Sequence, residues 1–278
     1  MSRNSSIVTE LMDIKGGARS IPYDSERDRF NIPHSADTSV KKELNANRIT
    51  AGGNHIAIAT QYPFAHQIEA QLQMLVDNYT PVLIVLASRS DIQNHLLTEY
   101  FAGSASFGEI QTKSKFVDYI DLSHDIEAKV FSLTISGYKE GIQIPVLHIH
   151  NWPDHRTVSP ETTEKLVELI DTTAQKSRTL LSNSEHPAMN NPSMMLPVIH
   201  CKAGVGRTGQ TIAAMAMKKY ADLSLDVITR DLRISRNDKM IQTSIQMETL
   251  IKMDNIRKNT SHKPPRKARS WRSIFSKA

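Results

Sequence analysis

The segment Leu196-Pro197-Val198-Ile199-His200-Cys201-Lys202-Ala203-Gly204-Val205-Gly206-Arg207-Thr208 constrains this chain more than any other. Leu196 to His200 is a short apolar run of the kind that forms a buried strand, and from Arg207 to about Tyr220 the apolar spacing is helical. Few residues separate the two, and two of them are glycines, so the strand turns almost directly into the helix. A strand that feeds a helix in this way belongs to a domain in which a sheet is flanked by helices.

Other segments fit the same architecture. His55 to Thr60 alternates like a strand, Ala65 to Tyr79 has helical spacing through Ile68, Leu72, Leu75 and Val76, and Pro81 to Ala87 reads as a buried strand. Phe107 to Ile120, Ala128 to Ile135 and Ile142 to Ile149 are rich in β-branched and aromatic residues, with Gly137 and Gly141 as turn signals, and read as antiparallel neighbours. Ser159-Pro160 opens a helix to about Leu181, and a polar loop runs from Ser182 to Asn191. Ser224 caps a helix to about Arg236, and a last helix spans Thr243 to about Ile256. The pattern predicts one α/β (α+β) domain over 45–256, a twisted mixed β-sheet flanked by helices. Residues 1–44 are polar with little periodicity and read as a loosely ordered arm, and 257–278 form a basic tail.

Cys201 is the only cysteine, which excludes an intramolecular disulfide and suits a reducing compartment. The longest apolar run, Pro81 to Ala87, is far too short to cross a membrane, and residues 1–20 lack the apolar core of a secretory signal. The formal net charge is +5, but 257–278 hold eight Lys or Arg and no acid, which leaves the remainder at −3. The basicity belongs to the tail rather than to a catalytic face, and nucleic acid is not an expected partner.

The turn between strand and helix is built for a dianion. Gly204 and Gly206 let the backbone curl so that the N–H groups of Lys202, Ala203, Gly204, Val205 and Gly206 point inward, and the following helix adds the positive end of its dipole. Arg207, six positions after the cysteine, can return over the cradle and grip two oxygens with its planar fork. The field that binds phosphate also lowers the pKa of Cys201, giving a thiolate able to attack phosphorus and form a cysteinyl-phosphate. Thr208 can donate to the sulfur as the thiolate departs in the second step, and His200 orients the loop from behind. A buried cysteine beside a Gly-rich turn is the plainer reading of any single cysteine. His, Cys, Gly and Arg at fixed offsets on a strand-loop-helix favour chemistry instead.

Such chemistry needs an acid to protonate the leaving phenolate, and Trp152-Pro153-Asp154 places a carboxylate on a short loop after a strand. Asp154 is the candidate acid, Trp152 the apolar hinge, and Pro153 stiffens the turn. Alone, this string also fits a packed corner; its position before the Cys loop favours the functional reading.

Taken in order, these motifs resemble the cysteine-dependent protein tyrosine phosphatases, and more closely the type III-secreted bacterial effector phosphatases of the YopH and SptP kind. Leu44-Asn45-Ala46-Asn47-Arg48-Ile49 resembles the family's substrate-loop segment, Ala59-Thr60-Gln61-Tyr62-Pro63 its Gln-Gly-Pro turn, and Pro81 to Ser88 its central strand. Arg236 to Gln246, with Met240-Ile241-Gln242-Thr243 and a second glutamine, Gln246, four residues after Gln242, resembles the Gln loop. The resemblance implies that Gln242, helped by Gln246, holds the hydrolytic water while Asp154 serves as base. It also leaves two departures. Ile49 stands where the substrate-loop Tyr is usual, so Phe30 is the candidate aromatic wall, and the acid bracing the catalytic arginine is shortened to Asp91.

The resemblance implies a phosphotyrosine phosphatase that needs no cofactor, a virulence effector delivered by type III secretion to act on phosphotyrosine-containing host proteins in the host cytoplasm. The arm is where a secretion chaperone would bind. In the tail, Trp271, Ile274 and Phe275 would share a helical face suited to weak contact with an anionic membrane, against the alternative of a solvated end. No metal is expected, because His148 and His150 share a strand face without a third ligand at suitable spacing. Two other functions stand beside this reading: a dual-specificity or phosphoinositide phosphatase, and a non-catalytic phosphotyrosine-binding module.

Overall fold

The computed structural model describes residues 3–123, 126–182 and 195–261. Its framework is an eight-stranded sheet in the order β3-β4-β10-β5-β9-β8-β7-β6. The strands are β3 (Ala46–Ala51), β4 (Asn54–Thr60), β5 (Leu83–Val85), β6 (Ser104–Phe107), β7 (Ile110–Ser123), β8 (Ile126–Ser136), β9 (Ile142–Ile149) and β10 (Val198–His200). β10 pairs in parallel with both β4 and β5, and β5 pairs in parallel with β9. β3 and the β9-β8-β7-β6 run are antiparallel additions at the two sides.

The sequence explains this division. Val198-Ile199-His200 and Leu83-Ile84-Val85 are wholly buried, as parallel strands covered on both faces must be. Alternate side chains then serve two cores. Ile84, Leu86 and Ile199 face the helices α4 (Pro160–Ser182), α5 (Gly206–Lys219), α6 (Leu225–Ser235) and α7 (Ser244–Ser261), while Leu83, Val85 and Val198 face α2 (Ile68–Asp77). Each such apolar side chain contributes about 1.5–3 kcal/mol on burial. The long hairpin of β7 and β8 instead leaves Phe116, Val117 and Tyr119 exposed.

The strands and helices from His55 onward lie close to the predicted segments, and the Ser159 hydroxyl caps α4 by accepting from the Thr162 N–H at 3.1 Å. Three regions differ. The arm is packed, not loose: α1 (Arg3–Asp13) places Val8 and Leu11 in the helical core, and β1 (Ser20–Ile21) pairs with β2 (His34–Ser35). The reason is distant, since buried Arg233 donates to the carbonyls of Leu11, Met12 and Ile14 and so caps the end of α1. Leu44 to Ile49 runs into β3, where Ile49 is buried in the core and cannot face a substrate. α3 (Arg89–Asn94), unpredicted, begins with a capping box between Ser88 and Asp91. The polar loop from 183 and the tail from 262, with Trp271, Ile274 and Phe275, lie outside the described residues. Among the described residues, no helix is long and apolar enough to cross a membrane.

Candidate active site

The Cys loop leaves the carboxyl end of β10 between its two parallel neighbours, where open α/β sheets place their sites. Gly204 has φ +68°, and a Cβ there would lie 2.1 Å from the Thr60 carbonyl oxygen, so the turn requires glycine. The loop's carbonyls are drawn outward. Buried Arg236 donates from Nε to the Gly204 carbonyl at 2.8 Å and from Nη2 to that of Ala203 at 3.4 Å, and the Tyr62 N–H donates to the Lys202 carbonyl at 3.0 Å. Val205 accepts from the N–H groups of Gly209 and Ile241. Carbonyls held out leave the intervening N–H groups to line the concave side, which makes an anion nest.

His200 is wholly buried behind the loop, and burial lowers its pKa to about 4, so the ring is neutral. Nδ1 lies 3.1 Å from the Cys201 carbonyl, which can only accept; Nδ1 therefore carries the proton, and Nε2 accepts from the Tyr100 hydroxyl at 2.8 Å. Cys201 is itself 3% exposed. Burial alone would push its thiol up. The Arg207 guanidinium, the Thr208 hydroxyl and the backbone N–H groups of Thr208 and Val205 outweigh burial and hold it below the ordinary value. The Gly204 N–H lies 3.3 Å from the sulfur. Thr208 Oγ1 is buried with no conventional hydrogen-bond partner of its own, which leaves it available to the sulfur.

Arg207 joins the parts of the site. Its Nη1 donates to Asp91 Oδ2 at 2.7 Å and to the Trp152 carbonyl at 2.8 Å, and Nη2 donates to Asp154 Oδ1 at 2.9 Å. The short Asp91 reaches it because the capping box turns Oδ2 inward, where it also accepts from the Ser88 N–H and hydroxyl. Arg207 Nε is buried and makes no hydrogen bond to the protein, so one arm of the fork is available for an oxygen.

The Asp loop lies down over this arginine. Trp152 is fully buried and its Nε1 closes the loop on the Arg156 carbonyl at 3.1 Å, while His155 makes the turn with φ +57°. Asp154 is held by two cations, Arg207 on Oδ1 and Lys202 Nζ on Oδ2, each at 2.9 Å. Burial would raise its pKa, but Arg207 and Lys202 override it and hold the carboxyl below the usual range.

The Gln loop approaches from the opposite side. A Cβ on Gly206 would meet Gln242 Oε1 and Gln246 Nε2, both at 3.1 Å, so glycine admits both amides beside the Cys loop. Gln242 is half-buried there. Gln246, expected to help Gln242 hold the water, is a buried tie beside it: Oε1 accepts from the N–H groups of Gln242 and Thr243, and Nε2 donates to the Arg156 carbonyl at 3.2 Å. Both ends of its amide are engaged, so it bridges the Gln and Asp loops. Phe30 stands at the rim, its ring centroid 5.8 Å from Lys202 Nζ.

A profile of the protein-tyrosine phosphatase family matches residues 18–253. The chain belongs to the protein-tyrosine phosphatase family. It is 41% identical over 222 residues to tyrosine-protein phosphatase YopH of Yersinia pseudotuberculosis serotype I (strain IP32953), covering 78% of this chain and 47% of that protein. It is 32% identical over 226 residues to secreted effector protein SptP of Salmonella paratyphi A (strain ATCC 9150 / SARB42), covering 79% and 40%. The chain thus spans about half the length of the curated relatives it matches. Its fold matches that of PTPN18 solved with HER2-pY1196 phosphopeptides, with a TM-score of 0.68, 19% identity and 91% coverage of each chain.

Within this phosphatase fold, the roles of several site residues come from side-chain reach rather than from neighbouring sequence. Arg236 is one, since its loop contacts are 32 and 33 residues away in sequence. The segment bearing Phe30 is held by others: Gln61 accepts from the Arg29 N–H and donates to the Arg27 carbonyl, and Asn45 donates to Asp28. Gln61 sits inside the quoted 59–63 turn, and only its side-chain reach reveals the role.

Proposed function

We propose that this chain hydrolyses phosphotyrosine in proteins through a cysteinyl-phosphate, using Cys201, Arg207, Asp154, Thr208 and Gln242. The observation that carries the reading is that one buried guanidinium, Arg207, touches the Asp154 carboxylate and lowers the pKa of the Cys201 thiol. The substrate's phosphate enters the nest and takes the Arg207 fork, with Phe30 beside the aromatic ring. The Cys201 thiolate then attacks phosphorus, the bond to the phenolic oxygen breaks, and Asp154 delivers its proton to that oxygen.

The resting carboxylate is suited to that role despite its lowered pKa. A phosphate dianion replaces Asp154 on Arg207 and sets negative charge beside it, so the proton affinity of Asp154 rises as substrate binds. In the second step Gln242 orients a water, Asp154 takes its proton, and the water oxygen bonds to phosphorus as the sulfur leaves with its electron pair. The Thr208 hydroxyl donates to the departing thiolate. Likeness to YopH and to a secreted effector, SptP, supports delivery by type III secretion and host phosphoproteins as substrates.

The test is phosphate release from a phosphotyrosine peptide by wild type, Cys201→Ser and Asp154→Ala, with binding measured alongside. Turnover by wild type, binding without turnover by Cys201→Ser and a slowed chemical step in Asp154→Ala support the assignment. Binding without release by wild type makes the chain a recognition module.

A further inference from the structure

Lys202 enters the site through its backbone N–H, yet its side chain makes the most unusual contacts there. We propose that Lys202 is a positioning residue that keeps the Asp154 carboxylate over the Cys loop when phosphate takes Arg207 away from it. Lys202 Nζ lies 2.9 Å from Asp154 Oδ2, while Arg207 Nη2 lies 2.9 Å from Oδ1, so each carboxylate oxygen has its own cation. The same ammonium lies 3.3 Å from His95 Nε2 and 5.8 Å from the Phe30 ring centroid. One side chain therefore bridges the Cys loop, the Asp loop, the end of α3 and the Phe30 segment. It is only 15% exposed.

The two cations have different tasks. Arg207 has a planar fork that fits two phosphate oxygens, whereas Lys202 is a point charge suited to a single oxygen. An arriving dianion competes with Asp154 for Arg207 Nη2 and repels the carboxylate. Without Lys202, the exchange at Arg207 would leave Asp154 with the His155 N–H, which donates to Oδ1 at 3.1 Å from its own loop and so ties it to nothing across the site. Lys202 holds the second oxygen through that exchange.

The charged and titratable groups facing Asp154 are Arg207 from α5, Lys202 from the Cys loop and His155 of its own loop, whose Nε2 is 3.7 Å from Oδ2. Asp91 stands behind Arg207, and Cys201 shares the same guanidinium. Removing Lys202 deletes a cation in contact with the carboxylate, so the acid keeps its proton to higher pH, and the loop loses a tether. The inference rests on Asp154 acting as the general acid, and the experiment separates the two ideas.

The experiment compares the single-turnover rate of leaving-group release against pH for the full chain and its Lys202→Met, Lys202→Gln and Lys202→Arg variants. Two substrates are used: a phosphotyrosine peptide, whose leaving phenolate has a conjugate-acid pKa of about 10 and needs a proton, and para-nitrophenyl phosphate, whose leaving group is far more acidic. Expected for Lys202→Met and Lys202→Gln is an alkaline limb moved up by about one pH unit and a roughly tenfold lower rate of that step on the peptide, with a much smaller fall on para-nitrophenyl phosphate. Lys202→Arg restores the wild-type limb. An unmoved limb in folded Lys202→Met or Lys202→Gln, or an equal fall on both substrates, overturns the positioning role alone. A wild type that turns over neither substrate overturns the phosphatase reading with it.

Discussion

The Cys loop and the Asp loop face each other across Arg207 but are anchored in opposite ways. Gly204, Val205 and Gly206 are buried, and the Cys-loop carbonyls are tied by Arg236, Tyr62 and Ile241, all distant in sequence. Pro153, His155 and Arg156 are exposed, and that loop rests on Trp152 Nε1, on Gln246 at the Arg156 carbonyl, and on Thr157 against Gln210 and Thr249. The difference follows from what each must do. A nest that stabilises developing charge must be preorganised, because rearranging dipoles during reaction would cost what they supply. A loop that is to deliver an acid and admit substrate needs freedom at its tip, and here the tip residues Pro153, His155 and Arg156 face solvent while Trp152 anchors the base.

The sharpest way to break this comparison is to cut the arginine that lies between the two loops. Arg207→Lys keeps the charge but loses the fork, and it leaves the Trp152 carbonyl and Asp91 without their partner. Phosphate release is expected to fall by about a thousandfold, and alkylation of Cys201 by iodoacetate to require higher pH. Next, Asp154→Asn should slow single-turnover release of the leaving group from a phosphotyrosine peptide by roughly a hundredfold, abolish the alkaline limb of that step, and slow it far less with para-nitrophenyl phosphate. An equal loss on both substrates in that first step would mean that the Asp loop shapes the nest rather than delivering a proton.

Arg236→Met tests the rigid side alone. It strips the Gly204 and Ala59 carbonyls of a donor and should destabilise the fold by about 3 kcal/mol in denaturant unfolding, with the Cys201 thiol less reactive in the folded fraction. The smallest expected effect is acid sensitivity. His200 titrates near 4 in the folded chain against about 6.5 when unfolded, so its contribution is complete above 6.5 and drains away as pH falls. By about pH 5.5 the loss from this group is on the order of 1 kcal/mol, and His200→Gln should flatten that slope in acid unfolding followed by circular dichroism.

The two loops also differ in how far the sequence discloses them. The Cys loop is legible because its strand, glycines, cysteine and arginine are contiguous and each offset has a geometric purpose. The Asp loop is legible as a motif, though nothing local says that its carboxylate rests on Lys202 as well as Arg207. The arm misleads because its polar composition hides Val8 and Leu11, and because the cap on α1 comes from Arg233, more than two hundred residues on. For Gln246 the spacing suggests help for Gln242, and only the fold shows that its amide also ties the Gln loop to the Asp loop. What composition and spacing miss is long-range side-chain reach onto backbone carbonyls.

The most direct test of the account is acid quenching of the full chain during turnover of a phosphotyrosine peptide carrying labelled phosphate, followed by mapping of the label. The account predicts phosphate release together with label on Cys201 alone, more of it in Gln242→Ala as hydrolysis of the intermediate slows, and none in Cys201→Ser. Release of phosphate by Cys201→Ser, or label on any other residue, would contradict it.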